Sequence, residues 1–187
     1  LNKDGVEMLE KIKFSSLKLK KLIEGLLEHS KTDEFINKGK VAVDLQLMVN
    51  EIKSHYSGTT SGLSIALKSN LSEMLVNQTI LYHILLNLVS NAVKYNDKAN
   101  AIIEIGASEN ERFYTFCVKD NGPGIDPKFQ EEIFEIFRIV TPKDRFGVSG
   151  NGIGLATVKK LIENSGGTIQ VESEIGKGTT FVFTLEK

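Results

Sequence analysis

The chain has 187 residues, enough for one or two domains with a real core. Its 41% hydrophobic and 25% charged content is ordinary for a globular protein, and a net charge of −1, from 23 basic and 24 acidic residues, gives no electrostatic footprint for nucleic acid. Cys117 is the single cysteine, which excludes an internal disulfide or a cysteine-cluster metal site; no apolar run reaches the roughly 18 residues a bilayer crossing needs, and no signal peptide is visible.

The chain opens on Leu1 rather than Met, as expected of a piece of something longer. From Asp4 to about Thr32 the pattern predicts a long helix. Leu9, Ile12, Ser16, Leu19, Ile23, Leu26 and Ser30 form a heptad seam, with Lys13, Lys18, Lys20, Lys21, Glu24 and Glu28 on a solvated face. Such a narrow stripe cannot bury itself, so a partner helix is expected, from a dimer or an upstream segment. His29 reads as a solvent-facing residue near the helix end. Thr32 to Gly39 reads as a linker.

Val41 and Val43 predict a short strand, and Asp44 caps a helix with Leu47, Val49 and Ile52 inside, ending near Tyr56. Residues 57–62 are a turn-rich loop. Leu63 to Leu67 and Met74 to Val76 predict two strands. A helix then runs from Ile80 to about Asn96. Leu81, Leu85, Leu88 and Ala92 line one face, while His83, Asn87, Asn91, Lys94 and Tyr95 form a polar stripe at steps of three and four. Asparagine is a poor helix former. Two in an apolar helix are either amides satisfied by nearby backbone or part of a ligand site, and the helix alone does not choose between these.

Strands follow over residues 101–105 and Phe113 to Lys119, with a hairpin turn at Asn110-Glu111. Tyr114, Phe116 and Val118 share one face and Asp120 continues that parity, so an acid ends the strand on the apolar side. Pro127 to Phe137 predicts a short helix with Ile133, Phe134 and Phe137 inward. Arg138 to Ser149 predicts a mobile loop. A helix starts near Gly154, carries Leu155, Val158, Leu161 and Ile162 on one face, and ends at Gly166-Gly167. Thr168 to Ser173 and Thr179 to Leu185 predict a last hairpin. These elements imply an α+β fold, a mostly antiparallel sheet with helices on one face.

Three glycine clusters follow the asparagine helix: Asp120-Asn121-Gly122-Pro123-Gly124-Ile125, Gly150-Asn151-Gly152-Ile153-Gly154-Leu155 and Gly176-Lys177-Gly178-Thr179-Thr180. The second opens into a helix, whose free N–H groups and dipole suit phosphates. An ionised Asp120 accepts hydrogen bonds only, which suits the amino group of adenine and disfavours the guanine carbonyl. Its bland alternative is an Asp that starts a turn. Asn91 offers an amide oxygen, a hard ligand suited to Mg²⁺.

Five ordered stretches together resemble the ATP-binding domain of sensor histidine kinases, within the superfamily shared with DNA gyrase, the heat-shock chaperone and the mismatch-repair ATPases. They are residues 87–95, 120–125, Phe134-Glu135-Ile136-Phe137, 150–160 and 176–181. The resemblance implies a two-layer α/β sandwich of the Bergerat type over residues 39–187. It also implies that residues 1–38 are the second, coiled-coil-like helix of a dimerisation and histidine-phosphotransfer hairpin, with its linker. By the same resemblance Asn87, Asn91 and Lys94 would be catalytic, Asn91 holding Mg²⁺ with Asn87 in support. Lys94 would approach the phosphates of ATP and Tyr95 would flank the nucleotide. Asp120 would take the adenine amino group, Gly122, Gly124 and Ile125 would bend around the base, and Thr180 would lie at that pocket. Gly150, Gly152, Ile153, Gly154 and Leu155 would cradle phosphates, with Phe134 and Phe137 anchoring a lid over Arg138 to Ser149.

The implied partners are a response-regulator receiver domain and a second copy of the chain through the N-terminal helix. Nucleic acid or membrane contact is not implied within these residues, and a cytoplasmic location is. The family's Arg two residues beyond the second Phe is replaced here by Ile139 or, on the other count, Val140. Arg138, Lys143 and Arg145 are the basic residues nearby. The phosphoacceptor motif, a His followed by an acid, is absent at His29, His55 and His83, so the acceptor helix is expected before Leu1. The competing readings are an ATP-hydrolysing conformational machine and a non-catalytic nucleotide-sensing module. The hydrolases carry a Glu one turn before the metal-binding Asn, where this chain has Asn87, and an amide is no general base.

Overall fold

The computed structural model describes residues 3–30, 35, 38–58, 62–69, 71, 73–142, 144–148 and 150–187. Most of the predicted linker, the side chain of His29, and Lys143 and Ser149 in the predicted lid lie outside those residues. A long helix, α1 (Lys3–Ser30), comes first. Its seam residues Leu9, Ile12, Leu19, Ile23 and Leu26 are exposed. Strand β1 (Val41–Asp44) runs into α2 (Leu45–Ser54), whose start is fixed by Asp44 Oδ1 accepting from the Leu47 amide at 3.0 Å. That start puts Leu45, Met48, Val49 and Ile52 inside, while Leu47, expected inward, is exposed.

Strands β2 (Leu63–Leu67) and β3 (Glu73–Val76) precede α3 (Gln78–Tyr95), which bears the asparagine stripe. Next come β4 (Ala101–Glu109) and β5 (Phe113–Asp120), with Asn110 Oδ1 accepting from the Arg112 and Phe113 amides in the turn. The predicted helix over Pro127 to Phe137 is instead two short 3-10 turns, Pro127–Phe129 and Glu132–Phe134. Helix α4 (Gly154–Asn164) and the hairpin β6 (Ile169–Glu174) and β7 (Gly178–Glu186) complete the chain.

The main sheet has the order β2-β4-β5-β7-β6, with β2 parallel to β4 and every other pairing antiparallel. β1 and β3 form a separate two-stranded sheet. One face of the main sheet, carrying Ile103, Ile105, Phe116, Val118, Phe181 and Phe183, is buried under α3 and α4. These helices supply Leu81, Leu85, Leu88, Val158 and Leu161, all at most 1% exposed. At about 1.5–3 kcal/mol for each fully buried large side chain, this layer carries most of the fold's stability. It also fixes where the open ends of the helices and strands meet.

Candidate functional site

Those ends meet around a cavity of about 560 Å³, within the range of small-molecule sites. The last two turns of α3 bring Asn87, Asn91, Lys94 and Tyr95 to one wall. Apolar packing on the opposite side of α3 orients that stripe. The Asn87 amide donates to the His83 carbonyl at 3.0 Å, and its Oδ1 lies so near Gly154 that a Cβ there would sit 2.8 Å from it. Asn87 is therefore partly the backbone-satisfied amide of the bland reading. Among the described residues, none holds the Asn91 amide by a hydrogen bond, although it lines the cavity. A polar side chain left free in such a place fits a ligand or metal contact.

The glycine loop forms the facing wall. Gly150, Gly152, Ile153, Gly154 and Leu155 all line the cavity. A Cβ at Gly150 would come 2.6 Å from the Tyr95 hydroxyl. Gly152 has φ 67°, and a Cβ would meet the Phe137 backbone at 2.6 Å. Helix α4 has no side-chain cap at its N-cap residue, Ile153. Its first N–H groups are thus available to an anion, with the helix dipole behind them. Burial, and then the nearby Asp144 carboxylate, push the Tyr95 phenol up. The segment expected to form a lid is tied to this wall at Arg145, whose amide donates to the Lys94 carbonyl at 2.8 Å. Arg138 lines the cavity, paired with Glu132 and lying over the Phe129 ring.

At the other end, Asp120 projects from the end of β5 on the apolar side. Its Oδ1 accepts from the Gly122 amide at 2.8 Å, and the Thr179 amide also donates to it. Two backbone donors do not fill the acceptor capacity of a carboxylate, so an amino-bearing ligand fits. Burial raises the Asp120 pKa and outweighs the lowering by those two amides. Here Gly122-Pro123-Gly124 and Gly176-Lys177-Gly178 pack backbone against backbone. Gly178 has φ 108° and would place a Cβ 2.0 Å from the Asp120 carbonyl; Gly124, at φ 75°, would place one 2.2 Å from the Glu174 carbonyl. Only glycine permits both contacts. The Ile125 amide donates to Ser173 Oγ at 2.8 Å, which pins the turn to β6.

Three predicted site residues lie off the cavity wall. Gly122 is one residue behind it and acts through its amide on Asp120. Phe137 is exposed, at φ 68°, and its amide donates to the Gly152 carbonyl at 2.7 Å, so its contact with the glycine loop is through backbone. Thr180 shares a face with Lys119, its partner across the ladder, and lines a separate shallow recess. The residue turned to the cavity is Thr179, which is buried and has the parity of Phe181. Glu24 and Gly25 of α1 also reach the cavity, and a Cβ at Gly25 would meet Asn151 Nδ2 at 2.6 Å and Ile153 Cδ1 at 2.9 Å. The one signal for that contact is a glycine in the interior of a helix.

A ligand that donates to Asp120 should show a pH dependence with a definite sign. Because the folded pKa of Asp120 is raised, its protonated form stabilises the free protein at low pH, and that contribution is lost as pH rises through the folded value. The ligand needs the ionised form. Affinity for an adenine nucleotide, measured by calorimetry across the acid range, is therefore expected to fall as pH is lowered, with the loss beginning above the ordinary aspartate range. The fall should be absent in Asp120→Asn, and a flat wild-type profile would count against this role.

A mostly antiparallel sheet under helices, with an acceptor-only carboxylate at one end of a cavity and an uncapped glycine-rich helix start at the other, defines a nucleotide-binding domain. Residues 76–187 match the histidine kinase-, DNA gyrase B- and HSP90-like ATPases, and the chain belongs to that family. The cyanobacterial phytochrome B of Nostoc is 37% identical over 90% of this chain and 23% of its own length. The methanogenesis regulatory histidine kinase FilI of Methanothrix harundinacea is 32% identical over 95% of this chain and 20% of its own. The crystal structure of full-length ShkA in complex with AMPPNP superposes with a TM-score of 0.76 at 27% identity, covering 99% of this chain and 39% of that one. The chain thus spans about a fifth to a quarter of the length of these two curated relatives.

Proposed function

We propose that the chain is the ATP-binding catalytic part of a two-component sensor histidine kinase. It would hold ATP while the bond from the γ-phosphorus to the bridging oxygen of ADP breaks and a new bond forms to an imidazole nitrogen. The phosphoryl group would then pass to an aspartate of a response-regulator receiver domain. Asp120 would accept from the adenine amino group, with Gly124 and Thr179 enclosing the base. The amides of Gly152 and Gly154 at the start of α4, with Lys94, would hold the phosphates. The Asn91 oxygen would hold Mg²⁺, whose charge would offset that of the phosphates. The chain's own contribution is to position and desolvate the nucleotide, the main source of rate in phosphoryl transfer.

The observation that carries transfer over hydrolysis is Asn87. It stands one turn before Asn91 on the cavity wall, and its amide is bound to the His83 carbonyl. It cannot take a proton from water. The acceptor would come from elsewhere in the kinase, since His29, His55 and His83 do not stand in a phosphoacceptor motif. Residues 1–38 would form the second helix of the phosphotransfer hairpin, pairing with a second copy through the exposed seam. No helix among the described residues is long and apolar enough to cross a membrane, and a cytoplasmic location for this part belongs to the same proposal.

The test is to supply the acceptor helix on the same chain and incubate with Mg-ATP. A phosphate that is acid-labile and alkali-stable is expected, and it should be lost when the acceptor histidine is replaced. Steady ATP turnover with no phosphoprotein would favour the hydrolase reading.

A further inference from the structure

Helix α3 ends at Tyr95, and the next residue, Asn96, is 1% exposed. A buried amide needs partners for both its halves. Asn96 Nδ2 donates to Asn121 Oδ1 at 3.0 Å, and Asn96 Oδ1 accepts from the Lys98 amide at 2.9 Å. Asn121 is the residue directly after Asp120. Its Oδ1 also accepts from the Ile102 amide at 2.9 Å, its Nδ2 donates to the Asn100 carbonyl at 3.0 Å, and its own amide donates to the Ile102 carbonyl at 3.2 Å. Asn121 is thus fixed to the start of β4 by three bonds, and Asn96 hangs the end of α3 on it. The backbones come close enough that a Cβ at Gly122 would lie 3.5 Å from the Asn96 Cα.

The two ends of the site sit on different elements. Asp120 belongs to the sheet, whereas Asn91, Lys94 and Tyr95 belong to the last turns of α3. Apolar packing holds α3 to the sheet, but it is non-directional and does not by itself fix how far the helix reaches along its axis. A directional amide–amide bond at its C-terminus does. We infer that the Asn96–Asn121 pair is a positioning device that sets the separation between the purine end and the phosphate end of the cavity. It therefore acts on ligands that span both ends and not on those that occupy one. The inference rests on the nucleotide reading given above. Asn96 borders the cavity, but its amide is spent on Asn121 and the Lys98 amide, and Asn121 lies off the cavity wall. The two act through Asp120 on one side and through Lys94 and Tyr95 on the other.

The test compares Mg-ATP, which spans both ends, with adenosine, which occupies the purine end alone. Mg-ATP is titrated by calorimetry and adenosine by ligand-observed NMR, using the whole chain and its Asn96→Ala, Asn121→Ala and double variants. Asn96→Ala is expected to weaken Mg-ATP about ten-fold, the worth of a hydrogen bond within a coupled network, and to leave adenosine within about two-fold. The double variant is expected to be no worse than either single one, because the pair acts as a unit. Asn96→Asp keeps the acceptor for Lys98 but sets a carboxylate against Asn121 Oδ1, so it should show the same split and stands in if the alanine variant does not fold. Equal weakening of Mg-ATP and adenosine, or no change in either, would overturn the positioning role. Wild type that bound neither ligand would instead remove the nucleotide reading, and this inference with it.

Discussion

Replacing Asp120 with Asn is expected to weaken ATP binding about 100-fold, the upper part of the range for losing a hydrogen bond to a charged group. The amide keeps one oxygen for the Gly122 amide but presents its NH2 to a ligand amino group, so two donors face each other. Stability should move the other way. Burial already disfavours the ionised carboxylate, so a neutral side chain of the same shape removes a cost at neutral pH. The expected result is an unfolding midpoint at or above that of wild type, with the ATP-induced rise in midpoint abolished. A midpoint well below wild type would show that Asp120 is primarily a turn residue, the bland alternative for an Asp before Asn-Gly.

The largest effect on stability is expected from Phe183→Ala. Phe183 is fully buried and stacks on Phe116 with ring centroids 4.9 Å apart. It stands at the centre of the β5–β7 ladder, paired in register with Phe116. Truncation should cost about 3–5 kcal/mol, a large share of the roughly 5–15 kcal/mol that a domain has. For a chain of this size that lowers the melting midpoint by roughly 6–20 °C. Ile102→Ala, at an exposed position on β4, serves as the control and should change stability by no more than about 0.5 kcal/mol. A Phe183 variant that melted with the control would mean that the sheet and helices are not held by this layer.

The elements that local pattern determines were readable in advance. The 3.6-residue period of α3 placed Asn87, Asn91, Lys94 and Tyr95 on one stripe, and the structure turns that stripe to the cavity. The two-residue period of β5 placed Asp120 with Phe116 and Val118. Where long-range contact decides, local pattern does not predict the structure. Pro127 to Phe137 has the spacing of a helix, but the Phe137 amide is taken by the Gly152 carbonyl, and this draws its backbone to φ 68° and turns the ring outward. The contact joins residues far apart in sequence, so periodicity carries no trace of it. The small β1–β3 sheet was invisible for the same reason, since neither strand is long enough to show its partner. Thr180 is a different case, decided by strand parity. Phe181, Phe183 and Leu185 already fixed the inward parity of β7, and that parity points to Thr179. Asn96 and Asn121 carry no distinctive sequence signal, because an asparagine beside a turn is common, and the structure shows one buried and bonded to the other.

The measurement that tests the account most directly is a calorimetric titration of the unmodified chain with Mg-ATP and, in parallel, with Mg-GTP. An acceptor-only carboxylate at the base of the cavity predicts saturable one-to-one binding of ATP, with GTP at least about ten-fold weaker because its carbonyl meets Asp120 where adenine has a donor. No binding of ATP, or equal binding of both nucleotides, would contradict it.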